Sequence, residues 1–220
     1  GRGTTDCLGH VALLACVFKA LAEMRPKLKR TVVGIWIANE ENSSELGVGV
    51  DELVKQGYMK HLLGGPLYWI DTADSNPCIG TGGVLAWSLT ARGKMFHSGL
   101  PHKAVNPMEL VMEALSVVQK RFYQDFPPHA EEARYGYATP STMKPTQCSY
   151  PGGSINQIPG EATLSGDCRI TPFYDVLKVM KTMQSYVDDI NADLSSVPTR
   201  GPCSKYELPD EKIKGRVELK

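Results

Sequence analysis

Apolar and polar positions along this chain fall into blocks with distinct periods. Residues 8–25 are apolar at nearly every position, the composition of a helix buried on all sides, and Pro26 stops it. Residues 31–38 (TVVGIWIA) form one continuous apolar run, which predicts a buried strand, and the run ends abruptly at Asn39-Glu40-Glu41. Within 50–63, Leu53, Val54, Tyr58 and Leu62 return near one helical face, and 66–71 is a second short apolar strand. Helix, strand, helix, strand at this spacing predicts an α/β segment with a parallel sheet. The pattern changes after Asp74-Ser75-Asn76-Pro77. Residues 79–97 are long, strand-like and punctuated by glycine. Met108, Val111, Leu115, Val118 and Phe122 then recur at helical spacing over 107–122. Strand-like segments follow near 134–138, 145–150 and 161–170. A helix over 174–192 carries Val176, Val179, Met183, Val187 and Ile190 on one stripe, and a last strand falls near 215–219. The order β-α-β-β-α-β predicts a ferredoxin-like α+β domain. We therefore divide the chain into 1–78, part of an α/β domain, and 79–220, a nearly whole second one. No internal repeat or low-complexity stretch is visible.

At 220 residues the chain can bury a core without staples. Lys+Arg and Asp+Glu are equal at 24 each, so no global field steers it to nucleic acid or an anionic membrane. The apolar stretch 11–22 is interrupted by Lys19 and reads as too short to span a bilayer. No signal peptide is visible. Gly1 is not an initiator methionine, and Gly1-Arg2-Gly3-Thr4-Thr5-Asp6 opens directly onto a helix, which reads as a piece cut from a longer protein. The six cysteines show no C-x-x-C spacing, so we expect free, buried thiols in a reducing, cytoplasmic setting and no zinc–cysteine site.

Four acids carry the candidate chemistry. Asp6 precedes the first helix and could simply cap it. Asp71 ends a strand and could cap a turn. Glu40 and Glu41 could be a solvated loop, yet they stand where a core run stops. Residues past the carboxyl ends of parallel strands gather in one crevice. Four carboxylates in one crevice push each other's pKa values up, and a divalent metal, or two, relieves them.

Several motifs then resemble the M20 metallopeptidase family. They are Gly1-Arg2-Gly3-Thr4-Thr5-Asp6, Asn39-Glu40-Glu41, the Gly80–Gly83 turn, Gly93 with His97-Ser98 and Val105-Asn106, and Gly152-Gly153-x-x-Asn156-x-Ile158-Pro159 with Asp167-x-Arg169. A closer likeness, to the branch that deacetylates N2-acetylornithine, lies in 40–44, 68–74 and 139–147. The resemblance implies a zinc-dependent amidohydrolase with two metal ions, cobalt or manganese being acceptable substitutes. Asp6 matches the carboxylate bridging the metals, Glu41 and Asp71 a ligand of each, and Glu40 the general base. His97 matches a lid histidine that assists the oxyanion, and Asn156 and Arg169 match positions that meet the substrate. It also implies a parallel-sheet catalytic domain followed by a lid whose residues 79–220 pair edge to edge in a homodimer.

Departures from the family pattern matter as much. The family's His-x-Asp pair would lie before residue 1 and a further histidine ligand after residue 220, so three of five expected metal-binding side chains are present. His10, His61, His102 and His129 do not fit those places and read as surface or core histidines. The substrate expected is a small N-acetyl amino acid, with no nucleic acid and no membrane. The alternatives are a related aminoacylase or dipeptidase, or a non-catalytic relic that only dimerises. A phosphate-binding loop at 80–83 is disfavoured, because no helix clearly follows it.

Overall fold

The computed structural model describes residues 3–41, 45–71, 78 and 80–220, and the chain divides into two compact units, Gly1–Cys78 and Ile79–Lys220. Gly1, Arg2, Asn42 to Ser44, Ile79 and the stretch 72–77 with Asp74 lie outside the described residues, and with them parts of the motifs quoted above.

In the first unit, α1 (Gly9–Met24) ends where Arg25 turns into the left-handed region at φ 44 and Pro26 prevents continuation. A short α2 (Val50–Lys55) follows. Residues 31–37 run without helical or ladder structure beside α1, and the Phe18 and Trp36 rings meet at 5.7 Å between centroids. Two expectations are corrected here. No strand, and hence no parallel sheet, is formed among the described residues of this unit: 31–37 and 66–71 carry no ladder partner, and a strand exists only through the neighbour that takes its backbone hydrogen bonds. Nor is α1 buried; no described residue of this unit is, and Leu13 and Val17 are 58% and 44% exposed. A helix apolar all round needs covering layers on more than one side.

The apolar run also proves longer than 11–22. Within Thr4–Met24, 21 residues long, an 18-residue window reaches a mean hydropathy of 1.6, enough by length and composition to cross a membrane. The run is broken at Asp6 and Cys7, which have non-helical backbone angles, and the regular helix α1 has 16 residues. That is about 24 Å of helix, against about 30 Å of hydrocarbon core.

The second unit follows the expected order. Its elements are β1 (Gly83–Arg92), β2 (Phe96–His97), α3 (Pro107–Asp125), α4 (Ala130–Arg134), β3 (Thr142–Ser149), β4 (Gln157–Ile158), β5 (Glu161–Ile170), α5 (Val176–Ala192), β6 (Glu207–Leu208), β7 (Ile213–Lys214) and β8 (Arg216–Leu219). Four strands form an antiparallel sheet in the order β3-β5-β1-β8, the ferredoxin-like arrangement. β1 and β5 pair along their whole length, from Gly83 opposite Ile170 to Arg92 opposite Glu161. Alternation puts Trp87, Leu89 and Ala91 of β1 and Ala162, Cys168 and Ile170 of β5 in the core. There they meet Leu110, Val111, Ala114, Val118 and Phe122 of α3 and Val179, Met183, Val187 and Ile190 of α5. Both long helices start on side-chain caps: Asn106 Oδ1 accepts from Met108 N at 3.0 Å, and Asp175 Oδ1 from Lys178 N at 2.9 Å.

The segment 134–138 departs from the strand expectation. His129 Nδ1 accepts from Glu131 N and Glu132 accepts from His129 N, a capping box that starts α4 instead. Glu132 is buried, and its second oxygen accepts from Thr171 Oγ1 at 2.7 Å.

Side chains also close the outward backbone groups of both edge strands. On β8, Asn191 donates to Val217 O at 2.7 Å and accepts from Val217 N at 2.8 Å. On β3, Tyr123 Oη and Gln119 Nε2 donate to Met143 O at 3.0 and 2.9 Å. Farther along β3, Pro145 offers no donor, and the register slips between Pro145 and Gln147.

Candidate functional site

In the first unit the break at Asp6 and Cys7 leaves both side chains near Asp71. Ligand atoms of Asp6, Cys7 and Asp71 all lie within 4.8 Å of one another. Asp71 Oδ2 accepts from Trp69 Nε1 at 3.2 Å, whereas Oδ1 is closed off from solvent with no donor facing it. Such an orphaned acceptor is costly unless a proton or a cation sits against it. A proton is one solution. The Asp6 carboxyl is held above its ordinary value, first by a hydrogen bond to Asp71, then by the Asp71 charge, desolvation and Glu41, with His10 opposing.

Glu40 and Glu41 reach the same neighbourhood from another turn. Asn39 adopts φ 70, a left-handed conformation that asparagine tolerates, and its Nδ2 donates to Glu45 O at 2.8 Å. Glu40 is raised above its ordinary value, chiefly by desolvation and then by the charges of Asp71, Glu41 and Asp6. The Cys7 thiol is raised too, by desolvation first and then by the same four acids. Glu41 acts on its neighbours through charge but is not in the tight group of donors; Cys7 takes that place. The donor set is hard carboxylate with one soft thiol, mutually repelling and partly orphaned, and it fits a divalent cation. Two residues escaped the sequence reading. Cys7 looked like a buried thiol, and its only signal was adjacency to Asp6. His10, assigned to surface or core, lies close enough to lower Asp6, and its Nδ1 is closed off without a partner.

In the second unit His97 and Asn156 are brought together. β2 pairs with β4, His97 opposite Gln157, and Ser98 N donates to Asn156 O at 2.8 Å. His97 Nδ1 accepts from Gly99 N at 3.0 Å, so in the neutral ring Nε2 carries the proton. Asn156 Nδ2 lies 3.2 Å from that Nε2, and with the amide turned over its oxygen accepts the Nε2–H there. Met95, Phe96, His97, Ser154, Asn156 and Gln157 line an open cavity of about 370 Å³. Arg169 is not part of this group. It sits at the far end of β5, opposite Val84, eight residues from Glu161 or about 26 Å along the strand. Its Nε donates to Asp167 Oδ2 at 2.7 Å. Of the remaining histidines, His61 and His102 are exposed, and His129 stacks on Phe173 at 5.0 Å.

The M20 family model described as "Peptidase dimerisation domain" matches residues 79–194. The chain belongs to the M20 peptidase family. Curated relatives support this over the full length: it is 63% identical over 219 residues to a protein named acetylornithine deacetylase from Arabidopsis thaliana, covering 100% of this chain and 50% of that one. It is 50% identical over 223 residues to one of the same name from Dictyostelium discoideum, again covering 100% and 50%. The chain thus spans about half the length of the curated relatives it matches. Among solved structures, the M20 chain is similar to the di-peptidase Dug1p from Saccharomyces cerevisiae, with a TM-score of 0.56 and 20% identity over 100% of this chain and 53% of that one. Human carnosine dipeptidase 1 gives a TM-score of 0.55 at 15% identity, with the same coverage. These two likenesses speak to the fold. Members of this family generally depend on a metal ion, in keeping with the acid cluster at Asp6 and Asp71.

Proposed function

We propose that this chain is part of a zinc-dependent amidohydrolase that removes the acetyl group from an N-acetyl amino acid, N2-acetylornithine being the leading substrate. The observation that carries the reading is the convergence of Asp6 and Asp71 under the charges of Glu40 and Glu41, in a chain 63% identical to a relative named for that reaction. In this reading, residues 1–78 contribute to the catalytic domain and 79–220 form the lid and the homodimer contact. The exposed apolar surface of α1 is then covered by the rest of the whole protein's catalytic domain.

Asp6, Glu41 and Asp71 would hold the metal ions, which supply a lowered water pKa and charge for the developing oxyanion. Glu40 takes a proton from the attacking water and delivers it to the leaving amine. Its carboxyl is raised by desolvation and by the charges of Asp71, Glu41 and Asp6, a shift towards the working pH that favours both halves of that transfer. His97, its ring held through Nδ1 by Gly99 N, would turn its Nε2–H from the Asn156 side chain to the oxyanion. Arg169, at the end of β5 away from Glu161, supplies a forked donor suited to a substrate carboxylate, a role separate from that of His97.

The test is hydrolysis by the full-length protein of N2-acetylornithine beside other N-acetyl amino acids and dipeptides, before and after chelation. We expect acetylornithine to be preferred, activity to vanish with the chelator and zinc to restore it, and residues 1–220 alone to be inactive. Preference for a dipeptide would move the assignment to the dipeptidase branch. A full-length protein without any hydrolase activity would leave only the dimerisation module.

A further inference from the structure

We propose that Gly99 is a positioning residue for His97, and that its N–H and its missing side chain are both needed to keep the ring a neutral hydrogen-bond donor. This rests on the oxyanion role given to His97 above and adds to it how that role is held in place. The turn after β2 is fixed through its backbone on three sides. His97 pairs with Gln157 across β2 and β4, Ser98 N donates to Asn156 O at 2.8 Å, and Leu100 N donates back to His97 O at 2.9 Å. The imidazole is then the part left to move, and Gly99 N meets it at Nδ1, 3.0 Å away. The backbone does not call for glycine here, because φ at Gly99 lies outside the left-handed region. The ring does. A Cβ on Gly99 would stand 3.1 Å from Nδ1 and 3.2 Å from Cε1 of His97, inside the roughly 3.5 Å at which such atoms come to rest. Any side chain at this position therefore pushes the ring aside and lengthens the bond that sets its tautomer.

The chemical consequence is a division of labour. With Nδ1 accepting from Gly99 and Nε2 protonated, the neutral ring has no lone pair left to take a proton. His97 is confined to stabilising charge, and Glu40 alone moves the proton. The Asn156 amide, turned over, holds Nε2–H until the developing oxyanion replaces it.

Solid-state NMR of the full-length protein, with isotopically labelled histidine and glycine, reads this arrangement without substrate. It is recorded at about pH 9, where histidine is neutral, and loss of a signal in His97→Gln assigns the ring. We expect a single Nε2–H tautomer for His97, with the Gly99 amide proton in contact with Nδ1. Gly99→Ala should lose that contact and admit the Nδ1–H form, with circular dichroism confirming an unchanged fold. It should also lower kcat at least about ten-fold with KM little changed, since removing an oxyanion donor outright costs about 10²–10³-fold. His97→Gln, which keeps an amide donor, should retain measurable turnover where His97→Ala has none. A mixture of tautomers in the unaltered protein would overturn the proposal. So would a missing contact between Gly99 and Nδ1, or a Gly99→Ala protein that keeps one tautomer and its full kcat. A locked ring in a full-length protein without hydrolase activity would instead overturn the deacetylase reading and leave the hold of Gly99 on His97 standing.

Discussion

Glu40 and Glu41 are chemically identical neighbours whose surroundings separate them. Glu40, though exposed, is raised by partial desolvation and then by the charges of Asp71, Glu41 and Asp6, while Glu41 acts on Asp6 through its charge. In the full-length enzyme, Glu40→Gln should keep most of its metal and lose about 10²–10⁴-fold in turnover, since only proton transfer is removed. Glu41→Gln should instead deplete metal, measurable by elemental analysis. The reverse pattern would exchange their roles. The same residues set a pH dependence for the metal-free protein. Asp6 and Glu40 are raised above ordinary values of 3.8 and 4.5, so the folded unit holds their protons more tightly than the unfolded chain does. Their stabilising contribution is complete below those ordinary values and is lost as pH rises through the raised ones. With chelator present, thermal melting of the unit should therefore shift to lower temperature from about pH 4 towards neutrality. Divalent metal at neutral pH should reverse the shift. A melting temperature that rises over this range without metal would refute the repulsive cluster.

At the scale of elements, the edges of the four-stranded sheet are held by side chains as well as by strands. Asn191 grips both backbone groups of Val217, at 2.7 and 2.8 Å, and so fixes α5 to β8. Asn191→Ala leaves a part-buried N–H and C=O without partners and should cost about 1–3 kcal/mol. Denaturant unfolding would measure the loss, and faster amide exchange at Val217 would locate it. Unchanged exchange there would mean that water replaces the clamp. The elements themselves were largely legible in the sequence. Period-2 alternation over 161–170 and the apolar stripe of 174–192 match β5 and α5, because a half-buried strand or helix displays its period in its own residues. Residues 134–138 were misread. The His129–Glu132 capping box lies upstream of them, and histidine is an unusual cap.

For the whole molecule, the role proposed for His97 can be tested with mixed subunits. We expect His97 to act across a dimer. Combining a full-length Glu40→Gln subunit with a full-length His97→Ala subunit, each inactive alone, should restore about a quarter of wild-type activity. Random pairing makes half of the dimers mixed, and each mixed dimer holds one intact site. No recovery despite demonstrated subunit exchange would confine His97 to its own subunit. The result bears on domain roles too, since it requires the unit spanning Ile79–Lys220 to bring two copies together.

What the sequence determined by itself was local: which residues alternate, where helices start and stop, and which acids stand at the ends of apolar runs. Those properties depend on a few neighbours along the chain, so they are written in it directly. The tertiary structure decided what depends on distant residues. It separated Arg169 from His97 by the length of β5, because the two are joined only through strand register. It withheld the parallel sheet from residues 31–37 and 66–71, because a strand is completed by partners and not by its own composition. It also put Cys7 beside Asp6 and Asp71, where the motif had led us to expect Glu41. A backbone break at two residues redirects side chains that hydrophobic periodicity would assign to a helix face.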